Sequence, residues 1–470
     1  MSAIWWIRRD LRIDDSAALA TALRLGAGSV VPVFVLDPDV LESRYHTSAE
    51  RRVQFLRNGL SALDGELRRR GSRLVVRRGS PVKVLSELAA TLGATSIVAE
   101  RDYSPFAKRR DAEVGQALPL HLVGSTSIRP ASDTTKTDGS GYAVFGAFRR
   151  AWMTLSPILE AELVPAPLEL SPIPEHIRGD EIPAIQELPG FPAGPAEAQR
   201  RLDAFTQGVH APIRSYHDDR DRMDQDGTST LSPYLRFGMI SARTAAARAT
   251  RLLAEGVGAG AGRWLDELLW RDFYLQILET SPDVLRIEFN KGLRDIRWRN
   301  DPSEIAAWQQ GRTGYPVIDA AMRQLAATGW MHNRARMIVA SFLVKHLLVD
   351  WRVGESWFMQ QLIDGDPASN NGGWQWVAGT GTDAAPYFRV FNPILQGKKF
   401  DPDGAFIRKW VPELRDVSPR FIHEPWALTP LEQSSLGVRV GAEYPERIVD
   451  LGVGRDRALE AFAASRERTR

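Results

Sequence analysis

Two apolar runs, AIWWI at residues 3–7 and SVVPVFVL at residues 29–36, begin the pattern that decides the fold of the first third of this chain. Each run is short and rich in β-branched or aromatic residues, as strands are. Three similar runs follow at residues 73–76, 95–99 and 119–123, with helical patterns such as those at 48–70 and 81–92 between them. Five strands alternating with four helical segments predict an α/β fold with a doubly wound parallel sheet, which binds ligands outside the carboxyl ends of its strands.

The rest of the chain has a different pattern. Nine of the 29 prolines lie between residues 157 and 195, and from about Ala196 onwards the apolar residues follow a helical period. We therefore predict an α/β domain at residues 1–128, an interdomain linker at 129–195 and an all-helical domain at 196–470.

The composition predicts a soluble globular protein. The 60 Lys and Arg residues against 58 Asp and Glu give a formal charge of +2, so nucleic-acid binding would need a local basic patch. Ala3–Ile7 is too short for a signal-peptide core, which predicts a cytoplasmic protein. The absence of cysteine excludes disulfides, thiolate metal sites and cysteine nucleophiles.

The segment WLDELLWRDFYLQILE at residues 264–279 has an apolar helical face and a second face that carries Glu267, Trp270, Arg271 and Tyr274. A Glu267–Arg271 pair is typical of a solvated helix surface. Two aromatic rings on the same face are unusual there, and together with the carboxylate they suit a planar ligand that forms hydrogen bonds.

The segment WMHNRAR at residues 330–336 places Asn333, Arg336 and Met337 on one predicted helical face. Residues 294–352 carry a local excess of four positive charges. These arginines could neutralise phosphates or belong to an ordinary helix surface. His332 has no serine or acid at triad spacing, and we assign it no catalytic role.

Two further segments have polar groups that suit a ligand. IDGDPASNNGGWQW at residues 363–376 contains a possible metal pair, Asp364 and Asp366, but no further carboxylate cluster to complete it. Its adjacent amides and glycines fit a flat heterocycle, or a polar turn. GTSTLS at residues 227–232 collects hydroxyls at a predicted helix start, which suits an anion or a simple N-cap.

Taken together, these segments closely resemble the photolyase/cryptochrome family, and most of all its class I cyclobutane pyrimidine dimer DNA photolyases. The shared motifs are YxxxRDxxxxxGTSxLSPxLxxG from Tyr216, WxxELxWRDFY from Trp264, TGYPxxDAAMRQL from Thr313, GWMHNRxRM from Gly329 and IDGDxxxNNGGWQW from Ile363. The resemblance runs nearly end to end and implies an α/β antenna domain followed by a helical domain that binds FAD non-covalently.

The resemblance also assigns the flavin site. The residues implied to line it are Tyr216, Thr228, Ser229, Thr230, Leu231, Ser232, Trp264, Arg271, Arg336, Asp364, Asp366 and Asn370. Within this set, the hydroxyls suit the phosphates, and Arg336 and Asp364 form a charge pair against the cofactor. Asn370 stands where family members form a hydrogen bond to flavin N5.

The implied substrate is ultraviolet-damaged DNA, whose pyrimidine dimer is flipped into a pocket. The residues implied to contact the lesion or the DNA are Glu267, Trp270, Asn333, Met337, Trp376, Arg220, Arg334 and Gln396. Of these, Glu267 and Asn333 are assigned to catalysis, and Glu267 would stabilise the charge that develops on a dimer carbonyl. Excited FADH⁻ is implied to donate the electron that splits the dimer. No metal is required, and we expect a monomer.

Three tryptophans match the chain that carries electrons from the surface to excited oxidised flavin, namely Trp298, Trp351 and Trp374. The same residues would serve a cryptochrome photoreceptor without repair activity, which is the main alternative. Asn333 argues against repair of (6-4) photoproducts, because that subfamily has a histidine there. A flavin protein that passes electrons to other proteins is a third possibility.

The antenna chromophore is implied by weaker matches. VLDP at residues 35–38 and Asp102 resemble family members that use 8-hydroxy-5-deazaflavin, with Asp37 and Asp102 as the antenna residues. Members that use methenyltetrahydrofolate have a Cys-Lys pair and an Asn-Glu pair that are not evident in this chain. We expect the deazaflavin, with methenyltetrahydrofolate or an empty site as alternatives.

Overall fold

The structure is a computed structural model that describes residues 2–41, 49–182 and 186–468. The chain divides into two compact units. The first contains residues 1–217, 228–282 and 363–368, and the second contains residues 218–227, 283–362 and 369–470. The domain limits expected from composition, after residues 128 and 195, stay a prediction.

The first unit contains a five-stranded parallel sheet of strand order β3-β2-β1-β4-β5. Its strands are β1 (Ser2–Ile7), β2 (Val30–Leu36), β3 (Val75–Arg78), β4 (Ala94–Glu100) and β5 (Leu120–Val123). Helices follow β1, β2, β3 and β4 in turn, so the doubly wound α/β prediction is confirmed. β3 was expected two residues earlier. The main-chain N–H of Leu74 donates to Asp64 at 2.8 Å, which delays the strand.

The α-helices of the first half of the chain are α1 (Ala17–Leu25), α2 (Pro38–Leu41), α3 (Glu50–Arg68), α4 (Pro81–Leu92), α5 (Pro105–Ala117), α6 (Phe145–Met153), α7 (Pro195–Thr206), α8 (Tyr216–Asp219), α9 (Ser232–Arg236), α10 (Ala242–Ala254) and α11 (Gly258–Thr280). Among the described residues between α6 and α7, the regular structure is one 3₁₀ turn, Glu160–Glu162. Proline density explains this, because proline fixes φ and removes a donor.

The helices that follow are α12 (Pro302–Gln309), α13 (Pro316–Thr328), α14 (Asn333–Ser341), α15 (Trp351–Gln361), α16 (Pro367–Ala378), α17 (Pro393–Phe400), α18 (Ala405–Trp410), α19 (Pro430–Leu436) and α20 (Leu451–Arg468). A π-helical turn, Phe342–His346, continues α14. No strand occurs beyond β5 in the described residues, which confirms the helical prediction for this region. Within the described ranges, no helix is both long and apolar enough to span a membrane.

The sequence after β1 turns sharply because of its own side chains. Asp10 accepts hydrogen bonds from the Trp5 indole at 3.1 Å and from the main-chain N–H of Arg8 at 2.8 Å. Gly238, at φ +61°, lies against this turn, and a Cβ there would meet the carbonyl oxygen of Arg9 at 2.0 Å. Only glycine fits, and the turn fixes where Arg9 leaves the sheet.

In the second unit, α15 and α16 approach each other through a glycine. A Cβ added to Gly354 in α15 would lie 2.0 Å from the indole ring of Trp374 in α16. Because Gly354 has no side chain, the buried Trp374 ring can pack directly against the α15 backbone.

Gly354→Ala should destabilise the protein by about 1–3 kcal/mol, because the added methyl group overpacks a full site and forces Trp374 to move. Urea unfolding measures the change. Gly65→Ala is the matched control: it lies within α3, where an added Cβ meets only the tip of Arg69 at 3.8 Å. The control should be neutral or stabilising by roughly 0.5–1 kcal/mol. Equal effects of the two substitutions would contradict the packing account.

Candidate functional site

Helix α11 is attached to the segment after β5 by two neighbouring side chains. Arg271 donates to the carbonyl oxygens of Thr126 and Leu235, and Asp272 accepts the main-chain N–H of Ile128 at 3.1 Å. Burial raises the pKa of Asp272 to about 7, although the Arg271 charge opposes the rise. These contacts hold the polar face of α11 in a fixed orientation.

The solvated Glu267–Arg271 pair is not what the structure contains. The ion-pair partner of Glu267 is Arg263 on the preceding turn, at 3.7 Å, whereas Arg271 donates to main-chain carbonyls. Glu267 and Trp270 are partly exposed on the same face of α11. Both side chains thus reach the surface on the same face of α11.

The DGD segment is held by arginines. Asp366 Oδ2 accepts from Arg9 at 2.5 Å and lies 3.7 Å from Arg236, while Asp366 Oδ1 accepts the N–H of Ala368. Arg9 also pairs with Asp102 at 3.4 Å. Burial lowers the pKa of Arg9, but these two carboxylates outweigh burial and raise it. Arginine contacts thus explain why aspartates occur here.

Two further arginines, Arg236 and Arg52, lie near the aspartates of the DGD segment. Burial lowers the pKa of Arg236 to about 9 and that of Arg52 to about 10. Arg236 donates through Nε to the carbonyl of Gly365, and its buried Nη1 has no hydrogen-bond partner among the described residues. A buried guanidinium with an unused donor suits an anionic ligand.

The hydroxyl run precedes α9, which begins at Ser232 as expected. The N-cap explanation for this run is wrong, because the N-cap residue is Leu231 and no side chain caps the helix. Thr230 has a positive φ of 49°, and its Oγ1 accepts from Arg201 at 2.6 Å. Arg201, which also pairs with Glu197, thus holds the Thr230 side chain where the backbone is in a left-handed conformation.

Most of the predicted flavin residues belong to the first unit: Tyr216, Thr228, Ser229, Thr230, Leu231, Ser232, Trp264, Arg271, Asp364 and Asp366. Tyr216 and Trp264 both contact the ring of Phe205 edge-on, with centroid distances of 5.5 and 5.2 Å. The remaining two, Arg336 and Asn370, belong to the second unit.

In the second unit, the amide of Asn370 has a fixed orientation. Its Nδ2 donates to the main-chain carbonyl of Glu355 and to the Glu355 carboxylate, both at 3.0 Å. Both partners are acceptors, so the amide must present its NH₂ group to Glu355. Its Oδ1 is then the acceptor side of the amide, turned away from Glu355. Arg336 donates to the carbonyl of Met331 at 2.9 Å.

Around α14, charged groups neutralise one another. Arg334 pairs with Asp221 at 2.5 Å and lies over the Phe400 ring at 4.5 Å, and Arg220 is 3.7 Å from Asp221. Asn333 is exposed at the first position of α14. The other predicted lesion and DNA residues of this unit are partly buried: Met337, Trp376 and Gln396.

The three predicted electron-carrying tryptophans all contribute to the hydrophobic core of the second unit. Trp374 and Trp351 are 2% and 1% exposed, whereas Trp298 is partly exposed and meets the Phe462 ring edge-on at 5.8 Å. Trp351 donates to Glu288 at 3.1 Å. Two of the three indoles are therefore buried, and one reaches solvent.

The two predicted antenna residues follow strand ends. Asp37 comes after β2 and accepts the N–H of Asp39 at 3.0 Å, and burial raises its pKa. Asp102 follows β4. Burial would raise its pKa, but the charge of Arg9 and the N–H of Ser104 hold it well below its usual range. Both lie where ligands bind in doubly wound sheets.

Sequence reasoning missed the residues that hold the predicted ones in place. These are Arg9, Arg52 and Arg236 at the DGD segment, Glu355 beside Asn370, and Asp221 beside Arg334. The RRDLR sequence directly after β1 was the available signal for Arg9, since it follows the carboxyl end of a strand.

Two family models match the chain: one described as DNA photolyase at residues 3–168, and one described as the FAD binding domain of DNA photolyase at residues 264–464. A deoxyribodipyrimidine photo-lyase of Halobacterium salinarum is 41% identical, over 98% of this chain and 99% of that protein. Both findings cover most of the chain.

Solved structures of photolyases and a cryptochrome also match nearly the whole chain. A class III photolyase from Agrobacterium tumefaciens matches with a TM-score of 0.91 and 35% identity, over 99% of this chain and 98% of that one. A cryptochrome from Synechocystis matches at 0.88 and 29%, over 98% and 99%. A Sulfolobus tokodaii photolyase described with two FAD molecules matches at 0.82 and 33%, over 99% and 100%.

His332 generates a pH prediction. Its Nδ1 caps α14 by accepting the N–H of Arg334 at 3.1 Å, and burial lowers its pKa to about 4 from 6.5. As the pH falls from 6.5 towards 4, this imidazole takes up a proton in the unfolded chain but not in the folded protein, so His332 should contribute a loss of roughly 2–3 kcal/mol to the free energy of unfolding. His332→Asn keeps a capping acceptor and should remove this loss.

Urea unfolding at pH 7 and pH 4.5 measures the effect. The exposed His210 provides the control, since His210→Asn should keep the wild-type pH dependence. If His332→Asn also kept it, the buried neutral imidazole would not be the cause.

Proposed function

The chain belongs to the DNA photolyase family, and we propose that it repairs ultraviolet-damaged DNA in light by splitting cyclobutane pyrimidine dimers with non-covalently bound FAD. The observation that carries this proposal is the fixed amide of Asn370, whose NH₂ group is used by Glu355 and whose Oδ1 can accept a hydrogen bond. Such an acceptor favours a flavin that carries a proton on N5, as reduced flavin does.

The residues present fit FAD. The diphosphate needs donors and positive charge, and the hydroxyls of residues 228–232 and the unused buried Nη1 of Arg236 supply both. Trp264, with Tyr216, provides aromatic surface, and Arg271 is fixed by main-chain carbonyls.

Reduced FAD, once excited by light, supplies the electron for the reaction. The residues of this chain bind the DNA, orient the dimer and stabilise the negative charge that develops on it. Trp270 and Trp376 give a flipped dimer aromatic surface, and Asn333 and Met337 contact its edge. Glu267 forms a hydrogen bond to a dimer carbonyl, which strengthens as negative charge develops there. Gln396 and Arg220 lie along the DNA.

Trp298, Trp351 and Trp374 are proposed to carry electrons to oxidised flavin. This electron transfer keeps the flavin reduced. Its support is the gradient of exposure, from a partly exposed Trp298 to buried Trp351 and Trp374. Indoles suit this role because they can be oxidised without breaking a bond.

A cryptochrome photoreceptor is the second candidate, and the match to the Synechocystis cryptochrome favours keeping it. For the antenna we propose 8-hydroxy-5-deazaflavin at Asp37 and Asp102. A second FAD is the alternative that the Sulfolobus tokodaii structure suggests. The absorbance of protein purified from its own host distinguishes these chromophores.

The test of repair compares irradiated with unirradiated oligo(dT), first for binding in the dark and then for dimer loss in light. Glu267→Ala should lower the repair yield per absorbed photon by more than it lowers affinity, because the lost hydrogen bond favours the charged dimer over the bound ground state. Glu279→Ala, which removes a surface carboxylate near the end of α11 that pairs with Lys108, is the control and should repair normally.

Flavin content is measured for each of these variants. If Glu267→Ala lost flavin but kept the wild-type yield per flavin, Glu267 would have a structural role only. If the wild-type protein did not distinguish irradiated DNA, the repair proposal itself would be wrong.

Asp221 and Arg334 give a salt-dependence prediction. Arg334→Ala should weaken binding to damaged duplex and reduce the slope of log K against log salt by about 1, because one phosphate contact is lost. Asp221→Asn should strengthen binding to undamaged duplex, because the carboxylate 2.5 Å from Arg334 competes with phosphate. An unchanged slope in Arg334→Ala would remove this arginine from the phosphate contacts.

A further inference from the structure

A segment of the predicted linker is attached to helix α11. The main-chain N–H of Tyr142 donates to Gln276 Oε1 at 2.5 Å. A Cβ at Gly141 would lie 2.8 Å from that same oxygen and 3.0 Å from Thr280 Oγ1, so the backbone crosses α11 at a distance that only glycine permits. The chain entering α6 is thereby fixed against the second half of α11.

This attachment places the ring of Phe145, the first residue of α6, against the ring of Trp270. The two rings are stacked, with centroids 3.8 Å apart and planes 8° from parallel. The other rings beside Trp270 meet it differently: Phe273 edge-on at 5.6 Å and 84°, and Tyr274 tilted at 5.5 Å and 35°. Phe145 is therefore the flat support of the indole, and Phe273 bounds its edge.

The stack occupies one face of the Trp270 ring. A centroid distance of 3.8 Å is van der Waals contact, so no third ring fits between Phe145 and Trp270. Trp270 nevertheless remains partly exposed, whereas Phe145 is 8% exposed. A base that stacks on Trp270 must use the face opposite Phe145. The plane of the indole is fixed before the base binds.

We propose that Phe145 is a positioning residue for lesion binding, which holds the Trp270 indole in the plane that receives the flipped pyrimidine dimer. This inference rests on the proposed repair function. Phe145 does not touch the lesion and acts through Trp270. Its contribution is preorganisation: an indole already fixed loses less rotational freedom when the dimer binds.

The test uses the flavin-loaded protein and irradiated oligo(dT) in the dark, at one salt concentration. Phe145→Leu keeps an apolar side chain but removes the ring, and should weaken affinity roughly 3- to 10-fold, the range expected for an aromatic pair. Phe145→Tyr keeps the ring and should restore affinity. Repair yield per absorbed photon at saturating protein should change less than about twofold, because the chemistry of the bound dimer is the same.

Phe148→Leu is the matched control. Phe148 lies on the same helix. Its ring contacts the rings of Phe273, at 5.5 Å, and Tyr142 rather than that of Trp270. This substitution removes a ring that is even more deeply buried, 2% exposed against 8% for Phe145, and should leave lesion affinity within about twofold of wild type. Flavin content and thermal midpoint are recorded for every variant. If Phe145→Leu loses flavin, Phe145→Met provides the same measurement with a flexible side chain.

A double-mutant cycle separates this role from general packing. If Phe145 acts through Trp270, Phe145→Leu should cause no further loss of affinity in a Trp270→Leu background. Additive losses would overturn the proposal, as would wild-type affinity in a folded, flavin-loaded Phe145→Leu. If the wild-type protein itself did not prefer irradiated DNA, the repair function would fail and this inference with it, so the two failures are distinguishable.

Discussion

The buried ion-pair network at Asp366 is the interaction on which the first unit depends. It joins Arg9 after β1, Asp102 after β4, Arg236 in α9 and the DGD segment, which are far apart in the sequence. Removing one member of such a network leaves a buried charge without its partner, at a cost of about 3–5 kcal/mol. In the proposed function, Arg236 of this network also supplies positive charge to the flavin diphosphate.

Helix α11 connects this network to the proposed substrate site. Arg271 and Asp272 fix its polar face through main-chain contacts, and Glu267 and Trp270 are carried on that face. Three residues of the proposed sites are each held by a neighbouring side chain: Asn370 by Glu355, Trp270 by Phe145, and Arg334 by Asp221. Fixed orientation suits a reaction in which the protein positions groups and the cofactor supplies the electron.

The sequence allowed the sheet, its strand limits to within two residues and the helical remainder to be predicted, because strand and helix periods are local properties. The motifs also selected Asn370 and the DGD aspartates. Their partners could not be predicted, since Arg9 and Asp366 are separated by most of the chain and no local pattern relates them. Phe145 was missed for the same reason: it lies in a segment whose composition indicated only a linker, and its stacking on Trp270 is a tertiary contact.

The most direct test of the central claim is anaerobic repair by the chemically reduced protein, with thymine dimers quantified after illumination at wavelengths that reduced flavin absorbs. If the protein is a repair enzyme, dimers should be lost in proportion to the light absorbed, with many dimers split per protein molecule. No dimers should be lost in the dark or when the flavin is kept oxidised. Tight binding of both flavin and irradiated DNA without any light-dependent dimer loss would contradict repair and favour a photoreceptor.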